Sequence, residues 1–247
     1  MSTAAPLAKR ILLQGRYEAL SMLRNGEQLV LAIALPLLGL VVLVLTPFLD
    51  GLADSRIDAA APGIIALCAM STAFTGQGIA TGFDRRYGVL RFLSTTPLGK
   101  PGLILGKALG VVVVLAVQLV VIGTVAALLG WRPDAAGILP GLVQLILGAA
   151  AFTALGLLVA GTLRPEATLA VTNLLWILLA AGGGIVLPGS LLPDAIQPFV
   201  DVLPSAALGD GLRSALIDGA FNLPAFLILA AWAFLSSLAA IRWFKWS

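Results

Sequence analysis

The strongest constraint on this chain is a succession of apolar runs, each long enough to cross a bilayer and each closed off by Pro, Gly or charge. A helix needs about 20 consecutive apolar residues to span the hydrocarbon core. Six stretches qualify: Gln28 to Leu49, Pro62 to Thr81, Leu103 to Leu129, Ile138 to Leu163, Ala167 to Leu187, and Leu223 to Phe244. Runs of this length must satisfy their backbone polar groups internally, as helices do in lipid, so the prediction is an all-α integral membrane protein with six transmembrane helices. Sixty per cent of the 247 residues are hydrophobic and 11% are charged, a balance that excludes an ordinary soluble domain. The gaps between runs are too short for a separate nucleotide-binding domain. Arg16, Glu18, Arg24 and Glu27 interrupt the opening segment, so no cleaved signal peptide is expected.

Pro36 in the first run and Gly182-Gly183-Gly184 near the end of the fifth weaken those helices locally. Each reads either as a kink packed by neighbours or as a hinge. With six spans both termini share one side. That side receives all of the 15 Lys and Arg except Arg56, Arg132 and Arg213, but only Glu18, Glu27, Asp84 and Glu166 of the 12 Asp and Glu. The positive-inside rule then predicts cytoplasmic N- and C-termini in a multi-pass inner-membrane protein.

Residues 1–27 are expected to form an amphipathic interface helix ahead of a six-span domain over 28–247. Ala8, Ile11, Leu12, Gly15, Ala19, Met22 and Leu23 recur at helical spacing, with Lys9, Arg16 and Arg24 mostly off that stripe. The helix could set topology or contact a partner. Between the second and third runs lies "GFDRRYGVLRFLSTTPLGK", the most charged and irregular stretch of the chain. Wound as a helix over 83–98, it gathers Phe83, Tyr87, Val89, Leu90 and Leu93 on one arc, with Asp84, Gly88 and Arg91 opposite and Arg86 interrupting the arc. Thr95-Thr96-Pro97 ends it. Before the last run, Leu187 to Phe221 mixes apolar residues with Asp194, Asp201, Asp210, Arg213 and Asp218, which suits short re-entrant or interfacial helices over about 188–221.

Order rather than composition distinguishes these segments. Asp84-Arg85-Arg86, Gly88, Leu90 to Leu93 and Thr96-Pro97-Leu98 follow one another, and later come Pro193, Pro204-Ser205, Asp210 and Leu212-Arg213. This arrangement resembles the ATP-binding cassette type-2 permease family over nearly the whole chain. One departure is visible: Arg86-Tyr87 precede Gly88 where relatives often carry an acidic residue.

The resemblance implies a subunit that dimerises and pairs with two separate ATPase subunits, whose ATP and Mg drive alternating access. It implies an ATPase-coupling helix carrying Asp84, Arg85, Arg86, Tyr87, Gly88, Leu90, Arg91, Phe92, Leu93, Thr96 and Pro97. It also points to the second and fifth spans as cavity-lining, hence Thr72, Thr75, Gln77, Asn173 and Trp176 as substrate-path residues. Gln77, Gln118 and Gln144 could equally make helix-to-helix hydrogen bonds.

The chain itself lacks the means to hydrolyse ATP. "GKPGLILGKALG" has no Ser or Thr after Lys and the wrong spacing for a phosphate loop. There is no histidine, and Cys68 is the only cysteine, so neither a metal site nor a disulfide is expected, and no cofactor in this chain. The runs hold no interior carboxylate for a proton relay. The expected function is export of an apolar or amphipathic small molecule (drug, antibiotic or lipid), consistent with multidrug efflux or antibiotic resistance, with no nucleic-acid partner. Export of a lipid-linked polysaccharide, or a non-transporting membrane anchor for a cytosolic partner, are the alternatives.

Overall fold

The computed structural model describes residues 5–245, except for the side chains of residues 27–29 and 31. Residues 1–4 of the predicted interface helix, the side chains of Glu27 and Gln28, and residues 246–247 of the six-span domain lie outside the described residues. Among the described residues all regular structure is helical. In chain order the helices are α1 Leu7–Arg24, α2 Gly26–Leu45, α3 Arg56–Met70, α4 Gln77–Arg86, α5 Val89–Ser94, α6 Gly99–Leu128, α7 Ile138–Thr162, α8 Pro165–Gly182, α9 Gln197–Asp201, α10 Pro204–Leu216 and α11 Leu223–Trp243.

Among the described residues, five helical segments are long and apolar enough to cross a membrane: Arg56–Arg86, Gly99–Leu128, Ala135–Thr162, Pro165–Gly182 and Leu223–Trp243. In α2 the described apolar stretch is the shorter Ala32–Leu45. The protein is thus a membrane protein with several apolar helices.

The Arg56–Arg86 segment is the central pillar. Its most apolar window is 83% buried, against 11% for α8, which lies at the periphery. It exceeds the predicted Pro62 to Thr81 at both ends. The Ser55 hydroxyl caps the start by accepting from the Asp58 amide at 3.3 Å. Pro62 is absorbed inside the helix and is itself buried. Between α3 and α4 the backbone widens into a π-helical turn over Ser71–Gly76, a form found mostly as single bulges at functional positions. There α7 crosses at its closest: a Cβ added to Gly156 would sit 2.6 Å from the Phe74 carbonyl oxygen.

α1 runs beside the first turns of α6 in the same direction. Gly102, Gly106 and Gly110 recur every fourth residue on α6, and small residues at that spacing let helices approach closely. A Cβ at Gly106 would meet Gln14 at 2.5 Å, and one at Gly110 would meet Glu18 at 2.6 Å. This corrects the predicted apolar stripe of α1. The buried face is Gln14, Gly15, Glu18, Ala19 and Met22, while Leu12 is 60% exposed. The stripe is rotated because Glu18 has a buried partner on α6.

Both described ends of the chain gather at one pole of the bundle, here the basal end. Phe244 packs against Leu90, Leu98 and Leu103, the Lys245 amide donates to the Gly161 carbonyl (3.0 Å), and Lys100 Nζ donates to the Ile241 carbonyl (3.3 Å). At the opposite, distal end α8 stops at Gly182, five residues before the predicted Leu187. The three glycines favour unwinding, and Gly184 takes φ = +73°. α9 and α10 then form the predicted short helices. α10 is more deeply set than an interfacial helix: Ser205, Ala206, Leu208, Gly209, Leu212 and Ala215 are all buried, packed among α3, α7 and α11.

Candidate functional site at the basal end

The segment between the pillar and α6 is two pieces rather than one helix over 83–98. Phe83, Asp84, Arg85 and Arg86 belong to the last turn of α4. The chain breaks at Gly88, whose φ of +78° is a left-handed conformation that favours glycine, and α5 follows as a six-residue helix. Its end is closed by hydroxyls: Ser94, Thr95 and Thr96 donate to the carbonyls of Arg91, Phe92 and Leu93 at 2.7 to 2.8 Å.

This geometry divides the predicted coupling residues into two sets. Leu90 is fully buried in the cluster with Leu98, Leu103 and Phe244, and Leu93 packs against it. These residues seat α5 on the base of α6. Tyr87 (73% exposed) and Phe92 (70% exposed) point away from the protein, as do Arg86, Gly88, Arg91 and Pro97, while Thr96 is half-buried. Phe83 stacks on Tyr87, with ring centroids 6.2 Å apart. The result is a ridge of aromatic and guanidinium groups on a rigid seat, the composition found at protein interface hot spots.

The other two charged residues of the segment are engaged inside the protein. Arg85 donates to the Leu163 carbonyl at 2.8 Å, satisfying a carbonyl at the end of α7. Asp84 accepts from Lys107 Nζ at 3.1 Å. Lys107, on the third turn of α6, is completely buried and also contacts the Glu18 carboxylate at 3.0 Å. Gln14 Nε2 donates to Glu18 at 2.7 Å. Sequence reasoning placed Lys107 among the topology charges and missed this cluster. The available signals were a Lys inside an apolar run and the Gly-x-x-x-Gly spacing around it.

The five predicted path residues do not converge. Thr72 donates to Gln118 Oε1 (3.1 Å), and Gln118 in turn donates to the Ala32 carbonyl (2.9 Å). Gln77 is buried against Met22, its amide nitrogen 3.3 Å from the sulfur. Both therefore lie in seams toward α6 and α1. Trp176 donates to the Ser71 hydroxyl at 2.8 Å, tying α8 to the π turn. Thr75, on the same turn, keeps a buried hydroxyl with no partner. Asn173 sits on the exposed face of α8. An apolar groove of about 280 Å³ between α7 and α11 is lined by Leu155, Leu158, Trp232, Leu235 and Ser236, and by none of these five.

At the distal end Arg213 takes up the carbonyls released by the unwinding after α8. Its guanidinium donates to Gly184 (2.7 Å), Ile185 (3.1 Å) and Val186 (3.3 Å), and to Asp210 Oδ1 at 2.7 Å. Pro204 opens α10 at its first position, where a missing N–H costs nothing. Pro193 opens the turn into α9, its carbonyl accepting from the Ile196 amide at 2.9 Å.

A bundle of apolar helices, with a short helix seated at its base and an unwound segment at its far end, defines a polytopic membrane protein. The sequence model of the ABC-2 type transporter family matches residues 10–217, and the chain belongs to that family. It is also 34% identical over 94 residues to the protein named "Putative transport permease YvfS" of Bacillus subtilis (strain 168), a match covering 38% of each chain.

Proposed function

We propose that this chain is the membrane subunit of an ATP-driven exporter, crossing the inner membrane six times with α2 as the first span and both termini in the cytoplasm. Two copies pair with two ATPase subunits, which bind ATP and Mg. The carrying observation is the Tyr87–Arg91–Phe92 ridge. Aromatic rings that are 70% exposed or more, on a helix anchored by a fully buried Leu90, are preorganised for a protein partner. Family membership supports reading that partner as an ATPase. Pairing of two copies through α8 is supported by its thin burial and by the exposed Asn173 amide, since amides in a membrane seek a protein partner. The substrate class is apolar or amphipathic, such as a drug, antibiotic or lipid, because the spans offer few charges to hold a hydrophilic ligand.

The test is co-purification of this chain with candidate ATP-binding-cassette ATPase subunits from the same genome. Arg91→Glu with Phe92→Asp inverts the charge and removes an exposed ring without touching the Leu90 cluster. Association should weaken at least about tenfold, with the variant eluting from detergent as the parent does. Undiminished co-purification would place the docking surface elsewhere.

A further inference from the structure

Lys107 of α6 lies outside the docking ridge, and among the described residues it is the one charged side chain that is completely buried. Its ammonium is held between Glu18 of α1 and Asp84 of α4, at 3.0 and 3.1 Å. Asp84 lies four residues before Gly88, so the same helical turn that ends in the docking ridge also reaches the lysine. Asp84 remains 30% exposed, whereas the Glu18 side chain is 8% exposed. Around the cluster the helices are packed nearly backbone to backbone, with Gly106 and Gly110 on one side and Gly15 on the other. Such close packing leaves little room for α1 to slide along α6.

A buried ion pair is weak as a stabilising device. Apolar residues of the same volume usually hold helices together as well or better. In a chain that fills comparable positions with Leu, Val and Gly, the charges supply register between specific partners.

We propose that Lys107 is a positioning residue of the transport cycle. It clamps Glu18 and Asp84, so that displacement of the docking ridge carries α1 and α6 along with the base of the pillar. Without the clamp, the α4–α5 turn moves alone and the work is lost in bending the loop. This rests on the reading that an ATPase pushes on α5.

The experiment uses the complex with its ATPase in lipid discs, with Cys68→Ser and Ser190→Cys supplying a single reporter thiol on the exposed distal segment after α8. The probe is a membrane-impermeant maleimide, and its labelling rate is compared without nucleotide and with ATP plus vanadate. Lys107→Met alone leaves a carboxylate buried and unpaired and can fail to fold. The informative variant is therefore Glu18→Gln with Lys107→Met, which removes one charge of each sign and leaves Asp84 access to water. In the parent complex, nucleotide should change the labelling rate about fivefold or more. In the double variant the ATPase should still co-purify and hydrolyse ATP, while labelling no longer responds. Retention of the full response in a well-folded double variant overturns the role of Lys107 alone. Failure of the parent chain to bind the ATPase, or a parent complex whose labelling ignores nucleotide, overturns both this inference and the reading it rests on.

Discussion

Replacing Arg213 with leucine should cost more stability than any exposed-site substitution in the chain. The guanidinium donates to three backbone carbonyls, those of Gly184, Ile185 and Val186, and to the Asp210 carboxylate. Leucine keeps the bulk and removes every donor. A buried acceptor left without a partner costs about 1–3 kcal/mol, and several are orphaned at once, so the loss is about 3 kcal/mol or more. At roughly 2–4 °C per kcal/mol for a chain of this size, the unfolding midpoint in detergent should fall by about 10 °C. Arg213→Lys should fall between, because an ammonium is a point donor that cannot reproduce the planar fork. Arg132→Leu is the control: that residue is exposed, and exposed substitutions away from special contacts stay within about 0.5 kcal/mol. An unchanged midpoint for Arg213→Leu would mean that water or lipid headgroups satisfy those carbonyls, and the distal segment after α8 would not be pinned to α10.

The same residues show where sequence reasoning carried and where it stopped. The apolar runs are legible because a span's length is fixed by the bilayer and needs no knowledge of neighbours. The end of α8 is not, because residues 183–187 are as apolar as those before them. Only the glycines and a guanidinium almost thirty residues further along decide that the helix unwinds at Gly182. The order of residues over 83–98 is legible, but the inward and outward faces of that segment are not. Tyr87, Leu90, Phe92 and Leu93 could each be core, and what selects Leu90 is a pocket built by Leu98, Leu103 and Phe244, the last from the far end of the chain. On α1 the periodicity reads correctly as one-faced, but the face is misplaced because hydropathy assigns Gln14 and Glu18 to water. Lys107 draws them in, a partner 89 residues away from Glu18. In each case the missing information is a contact with a distant part of the chain, polar at α8 and α1 and apolar at Leu90, which the local hydropathy pattern does not record.

Gly156 makes the complementary case, a contact set by the absence of a side chain. A Cβ there would meet the Phe74 carbonyl oxygen at 2.6 Å, the Ala73 carbonyl oxygen at 3.3 Å and the Gly78 amide nitrogen at 3.3 Å, all backbone atoms that no rotamer change can move. Gly156→Ala should therefore lower stability by about 1–3 kcal/mol through overpacking, even though alanine is the better helix former by about 0.8–1.0 kcal/mol. Gly156→Leu should prevent α7 from seating on the pillar, seen as loss of a monodisperse peak in detergent. Gly123 on α6 has open space at the same point, so Gly123→Ala should keep the propensity gain and raise the unfolding midpoint. Opposite signs for one chemical change in two apolar helices isolate the crossing itself. The affected backbone is that of the π turn, which holds Ser71 against Trp176 and leaves the Thr75 hydroxyl unpartnered. If Gly156→Ala matches Gly123→Ala, α7 does not press on the π turn, and the widened backbone would need a cause other than the helix packed against it.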